Sequence, residues 1–447
     1  MDKDNLSLFL KKLQSYDELD CMIFEKKYNY KQFCEDIVKC KDELKIPQST
    51  VVALLGDYSY DFFCYFFALA LNKCIIAPLL VKNLDFSLSD FGVEVALNTS
   101  SKQLEKYNDI KNFTLLERLK IQSKSGLILF SSGSTGKPKA VVHDMENFLY
   151  KYLNKKKNLL KVAALFLPDH VAGVDVFLSS FSCGSCLVIP KTRNPKDVLE
   201  ALENHKVEIL PSSATMLRLL MLSDLNMYNL DSLKIVIYGS ETMDLNLLCS
   251  LKELLPHVVF KQSFGTSETN AVSIINHKDE HFKKYFKIVD CDYKIINNEL
   301  YLKSKTQSLG YLNADNSVFD EEGYFATGDL VELYKEDGEE YIKIIGRSKE
   351  LINVGGEKVV PQEVEGVILE LDYIQDCLVY AKANAITGQS VCVKVVLKAN
   401  VKFTNLELKK QLRMYCKDKL ANYKIPTQVE IVDGLELSQR FKKVRKG

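Results

Sequence analysis

Residues 130–143, FSSGSTGKPKAVVH, crowd glycines, four hydroxyl side chains and two lysines into one short segment. A stretch with so little side-chain bulk builds no core. Gly133 and Gly136 permit a tight turn that aims backbone N–H groups at a common point. Ser131, Ser134 and Thr135 add donors, and Lys137 and Lys139 add charge. Such a nest suits a polyphosphate. The spacing is not that of a Walker A loop, because the glycines stand three apart and Pro138 follows Lys137. By composition alone the segment also reads as a flexible linker. Its place directly behind GLILF (126–130), an apolar run that predicts a strand, argues for a phosphate loop.

Other groups capable of chemistry lie downstream. Glu268, in QSFGTSET (262–269), stands among hydroxyls near Gly265 and reads as a ligand carboxylate or as a solvated loop acid. Asp329, in ATGDL, is an acid after Gly, which on its own reads as an ordinary turn. His170, in LPDHVAG (167–173), reads as a pocket residue or as a satisfied structural histidine. Gly355 and Gly356, in NVGGEKV, form either a β-turn or a path for a slender chain. Two motifs carry no chemistry. Cys183 and Cys186 form a lone CxxC without a second pair, which fits small buried residues entering a strand. LDSLK (230–234) contains a carrier-like Asp-Ser-Leu but runs straight into the apolar KIVIYG.

These groups need a scaffold. The 447 residues suit a large domain plus a smaller one. Apolar residues at 47% and charged residues at 26% describe a globular chain with a sizeable core. Lys and Arg balance Asp and Glu at 59 each, which gives no sign of a nucleic-acid partner. No apolar span of membrane length interrupts the chain, so no membrane insertion is expected. Twelve scattered cysteines fit reduced thiols in the cytoplasm.

In the first three-fifths, short apolar runs alternate with amphipathic or buried helices. TVVALLG, KCIIAPLL, VEILPSS and LKIVIYG predict strands; YDFFCYFFALALN, NPKDVLEALENH and MDLNLLCSLKELL predict helices, the last two opened by Asn194 and Asp244. That alternation implies mostly parallel sheets flanked by helices. YKIINNELYLKS and EEYIKIIGR then predict a small antiparallel subdomain. From PQEVEGVILEL onward, a helix, two strands, a helix and a last strand predict a small α+β domain. The fold class is α/β with these two appendages.

Taken in order, SSGSTGKPKAVV, LPDHVAG, YGSET (238–242), QSFGTSET, TGD (327–329), GRSKELINVGGEKVVPQEVE (346–365) and the terminal FKKVR resemble the signature motifs of the adenylate-forming superfamily. That superfamily contains acyl- and aryl-CoA ligases, adenylation domains of peptide synthetases and firefly-type luciferases. The resemblance covers nearly the whole chain.

It implies that residues 131–139, Ser132 included, grip the β- and γ-phosphates of ATP, with Lys139 as charge partner. Gly239, Ser240 and Glu241 would form the adenine-side loop, and Gln262, Ser263, Phe264, Gly265 and Thr266 would continue the nucleotide site. Glu268 would hold Mg2+, and Ser267 would keep the α-phosphate hydrogen bond. Asp329 would take the ribose and Arg347 a second ribose or phosphate contact. Lys349 would mark a hinge (346–350) on which residues 350–447 swing against residues 1–346. Lys442 would reach the α-phosphate and the carboxylate during adenylation; Phe441 replaces the usual Gly there, and Lys443 is the alternative. His170 would open the acyl pocket. Ala172 stands where amino-acid-activating members carry Asp, and Asp175 is off register, which argues against an α-amino acid.

The implied reaction joins a small carboxylic acid to ATP and passes the acyl group to CoA, or to the phosphopantetheine of a separate acyl carrier protein. A degenerate nucleotide-binding scaffold is the third reading. The pocket, drawn from 170–175, 212–218, 238–241 and 262–270, predicts an apolar acyl or aryl acid, and the protein is expected to be a monomer or homodimer.

Overall fold

The structure is a computed structural model that describes residues 4–81, 86–131, 138–223, 225–241, 243–279 and 284–436. Its centre is built on the helix Tyr60–Leu71, capped by Ser59, whose hydroxyl accepts from the Phe62 N–H at 3.1 Å. This helix is apolar on almost every side, so it is buried almost all round rather than lying on the surface. Phe63 and Phe66 both meet Phe177 at ring distances of 5.2 Å, mostly edge-on. The same core takes in Val52, Leu54 and Leu129 from one sheet and Met22, Val162 and Leu187 from another. The helices therefore form the layer between two sheets.

Each of those sheets has seven strands. One runs Val259–Gln262, Ile235–Tyr238, Ile209–Ser212, Lys161–Ala163, Cys186–Val188, Asp20–Phe24, all parallel, and ends on the antiparallel edge strand Lys26–Asn29. The other has a parallel centre, Gly126–Ser131, Ile75–Leu79, Val51–Leu55 and Val95–Asn98, with antiparallel strands on both flanks. The alternation of strands and helices in the sequence therefore gives the expected parallel sheets. One detail differs. Gly126–Ser131 pairs with an antiparallel strand, Lys139–Asp144, with Ser131 opposite Lys139, so the chain returns antiparallel within a sheet expected to be mostly parallel.

A third sheet of six antiparallel strands follows, as the sequence predicts. Its hairpin Asp292–Ile296 to Glu299–Lys303 turns on Asn297 and Asn298, both at positive φ (51° and 63°), which suits a two-residue turn between twisted strands. The last part is the predicted α+β domain. It has five strands, the helices Pro361–Ile368 and Asn405–Cys416, and its own core around Val364, Cys377, Val393 and Leu412. Arg218 of the large domain donates to the carbonyl of Gln375 at 3.1 Å, and Asn246 donates to the carbonyl of Leu369 at 2.7 Å.

Cys183 ends the helix Val171–Ser182 and Cys186 opens the next strand across Gly184 at φ 70°, and all twelve cysteines are free thiols. Among the described residues no three His, Cys, Asp or Glu side chains gather for a metal ion, and no helix is long and apolar enough to cross a membrane.

Candidate active site

Glu268 is buried on the turn between the short strands Phe264–Thr266 and Asn270–Val272. The turn is fixed by Thr266, whose hydroxyl accepts from the N–H groups of Glu268 and Thr269 at 3.2 and 3.1 Å. Gly265 is forced by packing, since a Cβ there would stand 2.5 Å from the Asn270 carbonyl oxygen. Tyr311 donates its hydroxyl proton to Glu268 Oε1 at 2.5 Å, and Lys139 Nζ lies 5.0 Å from the centre of the Tyr311 ring. Burial, with Glu268 beside it, pushes the Tyr311 hydroxyl well above the usual phenol range. Glu268 Oε2 has no hydrogen-bond partner among the described residues. The buried Glu268 carboxylate and the ammonium of Lys139, at the start of the strand Lys139–Asp144, thus both lie against Tyr311.

Asp329 forms the second centre. It lies at the start of the ladder between Phe325–Glu336 and Glu339–Arg347, opposite Arg347, whose Nε stands 2.7 Å from Asp329 Oδ1. Its other oxygen, Oδ2, is buried without a partner among the described residues. Burial raises the Asp329 carboxyl from 3.8 to about 6, against the pull of the Arg347 guanidinium. An orphaned acceptor of this kind, held by a half-exposed arginine, suits a ligand with hydroxyl donors.

The segments around Gly239 and Ser263 pack against each other. A Cβ on Gly239 would stand 2.1 Å from Ser263 Oγ, and the Ser263 N–H donates to the Tyr238 carbonyl at 2.8 Å. Ser240 has a positive φ of 66°. Glu241 is engaged locally, since its Oε1 accepts from the Thr215 N–H, at the start of the helix Ala214–Met221, at 2.5 Å. Gln262 ends its strand and accepts from Asn276 at 3.4 Å.

His170 caps the helix Val171–Ser182, with Nδ1 accepting from the Ala172 N–H at 3.2 Å. That bond leaves the proton on Nε2. Gly173 admits the Leu167 carbonyl, which would stand 2.0 Å from a Cβ there. Asp175 is taken by Lys151 Nζ at 2.7 Å and the Tyr152 hydroxyl at 2.9 Å.

Two residues of the site have no counterpart in the sequence reading. Tyr311 is one. His143 is the other: it is buried, donates from Nε2 to the Ser267 carbonyl at 2.8 Å and leaves Nδ1 unpartnered among the described residues. Burial lowers it from 6.5 to about 4, so it is neutral at physiological pH. The pairing of Gly310–Tyr311 with Lys139–Asp144, which brings Tyr311 to the site, joins residues far apart in the chain and leaves no local signal.

Gly355 and Gly356, at φ 62° and 98°, make an exposed turn between Ile352–Val354 and Glu357–Val359. Lys349 lies in the short turn Ser348–Glu350 that joins the third sheet to the C-terminal domain. Ser132, Gly133, Ser134, Thr135, Gly136 and Lys442 lie outside the described residues.

The fold and these centres define an adenylate-forming architecture. Two models of the AMP-binding enzymes match the chain, the main model over residues 122–312 and the C-terminal domain model over residues 363–442. The chain belongs to the AMP-binding enzyme family. It is 27% identical over 423 residues to a 2-succinylbenzoate–CoA ligase of Listeria monocytogenes, spanning 88% of this chain and 87% of that ligase. It is 25% identical over 333 residues to a vibriobactin-specific 2,3-dihydroxybenzoate-AMP ligase of Vibrio cholerae, across 68% of this chain and 60% of that protein. In structure it resembles an anthranilate CoA ligase in complex with anthranoyl-AMP, with a TM-score of 0.82 at 18% identity over 99% of this chain and 96% of the other.

Proposed function

We propose that the chain is an ATP-dependent, AMP-forming acid–thiol ligase. A carboxylate attacks the α-phosphate of ATP to give an acyl-adenylate and pyrophosphate; the thiol of CoA then displaces AMP and leaves as the acyl thioester. The observation that carries this reading is the buried Glu268 carboxylate, oriented by Tyr311 and flanked by Lys139 on the return strand of the phosphate loop. An anion attacking an anion needs its charge screened at the attacking and leaving oxygens; Lys139 would supply part of that positive charge and a cation held by Glu268 the rest.

Glu268 fits a Mg2+ ion, because Oε2 is open among the described residues and this ion commonly binds through one carboxylate plus substrate phosphates. Bound there, it would neutralise phosphate charge. Asp329 Oδ2 would accept from a ribose hydroxyl, and Arg347 would keep the carboxylate ionised. Residues 131–136 would hold the pyrophosphate, and Lys442 would meet the α-phosphate after the C-terminal domain turns about Lys349. Ala172 at the position where amino-acid-activating members carry Asp, and the engagement of Asp175 by Lys151, count against an α-amino acid. The free thiols fit a reducing compartment such as the cytoplasm.

Names of relatives support CoA as acceptor. The name of the Vibrio cholerae relative, an AMP ligase, mentions no CoA, and loading of a separate carrier stays as the second reading. Carboxylate-dependent pyrophosphate release, followed by a thioester assay with CoA, tests both. Adenylate without acyl-CoA favours the carrier. ATP binding without exchange for any acid overturns the enzyme reading altogether.

A further inference from the structure

Glu268 projects from a turn whose two adjoining peptide groups are each held at both ends. The peptide before it donates its N–H to Thr266 Oγ1 at 3.2 Å, and its carbonyl, that of Ser267, accepts from His143 Nε2 at 2.8 Å. The peptide after it donates its N–H, that of Thr269, to the same Thr266 hydroxyl at 3.1 Å. Its carbonyl, that of Glu268, accepts from the Ser308 N–H at 2.7 Å. Two planar groups held in this way leave the Cα–Cβ bond of Glu268 a single direction. Among the described residues, His143 is the one side chain from outside the turn that takes part in this backbone frame.

Strand alternation puts His143 where it can do this. Lys139, Val141 and His143 share one face of the strand Lys139–Asp144, and Tyr311, paired with Val141, stands on the same face. That face therefore brings a donor to the Ser267 carbonyl at one end and Lys139 to the Tyr311 ring at the other. The imidazole is closed off from solvent and packs edge-on against Phe148, with ring centres 5.0 Å apart. With Nε2 donating, the neutral ring has a bare Nδ1, buried and without a partner among the described residues. An apolar side chain would fill this space without burying that acceptor. What the imidazole supplies and a hydrocarbon cannot is the donor at Nε2.

We infer that His143 is a positioning residue for adenylation: its bond to the Ser267 carbonyl fixes the peptide before Glu268 and so holds the carboxylate where it would share a divalent cation with the phosphates of ATP. The assignment rests on the acid–thiol ligase reading, in which Glu268 holds Mg2+.

The test follows two readouts in His143→Leu, which has no donor, and His143→Gln, whose amide keeps one. The first is the Mg2+ concentration that gives half-maximal pyrophosphate release. The second is the affinity for ATP, measured by calorimetry with and without Mg2+. His143→Leu should raise the Mg2+ requirement about tenfold or more and weaken ATP binding about tenfold in Mg2+, with little change in its absence. His143→Gln should return both to within about threefold of the native values. Thermal unfolding checks that each variant is folded, and His143→Met replaces the leucine variant if that one does not fold. A folded leucine variant with native Mg2+ and ATP curves overturns the assignment alone, as does a folded glutamine variant that behaves like it. Native protein that binds ATP no better with Mg2+ than without also overturns it. No pyrophosphate release with any acid overturns the ligase reading, and the binding readout still decides the role of His143.

Discussion

Tyr311 gives its hydroxyl proton to Glu268 Oε1 across a hydrogen bond of 2.5 Å, and nothing local in the sequence joins these two residues. The bond fixes which oxygen of the carboxylate is left for a ligand. Tyr311→Phe should therefore lower kcat/KM for pyrophosphate release by roughly tenfold, the scale of one hydrogen bond to a charged group. It should also raise the Mg2+ concentration needed for half-maximal rate. A titration curve for Mg2+ that does not move would separate Glu268 from the metal.

Asp329 makes a pH prediction with a definite sign. Its carboxyl titrates at about 6 in the folded protein against 3.8 ordinarily, so between those values the folded chain holds a proton that the unfolded chain has lost. The stability of the ligand-free protein therefore falls, from this group, as pH rises through that window, by about 3 kcal/mol in full. Asp329→Asn should remove that slope in urea melts. Hydroxyl donors from a ribose favour the ionised form. The ATP affinity of the native protein should thus fall more steeply than that of the Asn variant between about pH 7 and about pH 5.

His143 works in the opposite direction. Burial holds it at about 4 against 6.5, so it is neutral when folded where the unfolded chain would already bind a proton. Its contribution is complete above 6.5 and is lost as pH falls towards 4, about 3 kcal/mol in all. His143→Gln keeps a donor for the Ser267 carbonyl without titrating. Its unfolding free energy should fall less between neutral pH and about pH 4 than that of the native protein.

Lys442 carries the adenylation proposal. Lys442→Ala should reduce pyrophosphate release by at least about a hundredfold, while thioester formation from supplied acyl-adenylate is kept. Lys443→Ala should leave both steps intact. The reverse pattern would transfer the role to Lys443.

Much of this was readable from the chain, for reasons specific to particular residues. Asn194 and Asp244 announced helix starts because capping acts within three residues, and both cap in the structure. Strands such as Val51–Leu55 and Ile75–Leu79 were legible because buried parallel strands are short apolar runs. Gly239 and Gly265 fall where a side chain would collide with backbone or with Ser263. Tyr311, His143 and the pairing of Lys151 with Asp175 were not legible, since each depends on which strand or helix lies beside which.

Arg218 has a further consequence. It reaches from the helix Ala214–Met221 to Asp244 at 2.6 Å and to the Gln375 carbonyl at 3.1 Å, and its Nε stands 4.0 Å from Asp376. Arg218, Asp244 and Asp376 keep only 15%, 18% and 15% of their side-chain surface open, so these contacts are largely enclosed. The proposed turn of the C-terminal domain about Lys349 would have to break this clasp, so the two orientations of that proposal would differ by its free energy. A bound adenylate needs only a few kcal/mol of differential contact to reverse their ratio. Arg218→Ala would move that balance from a residue far in sequence from Lys442, and the exchange rate of amide protons around Gln375 is where the change would register.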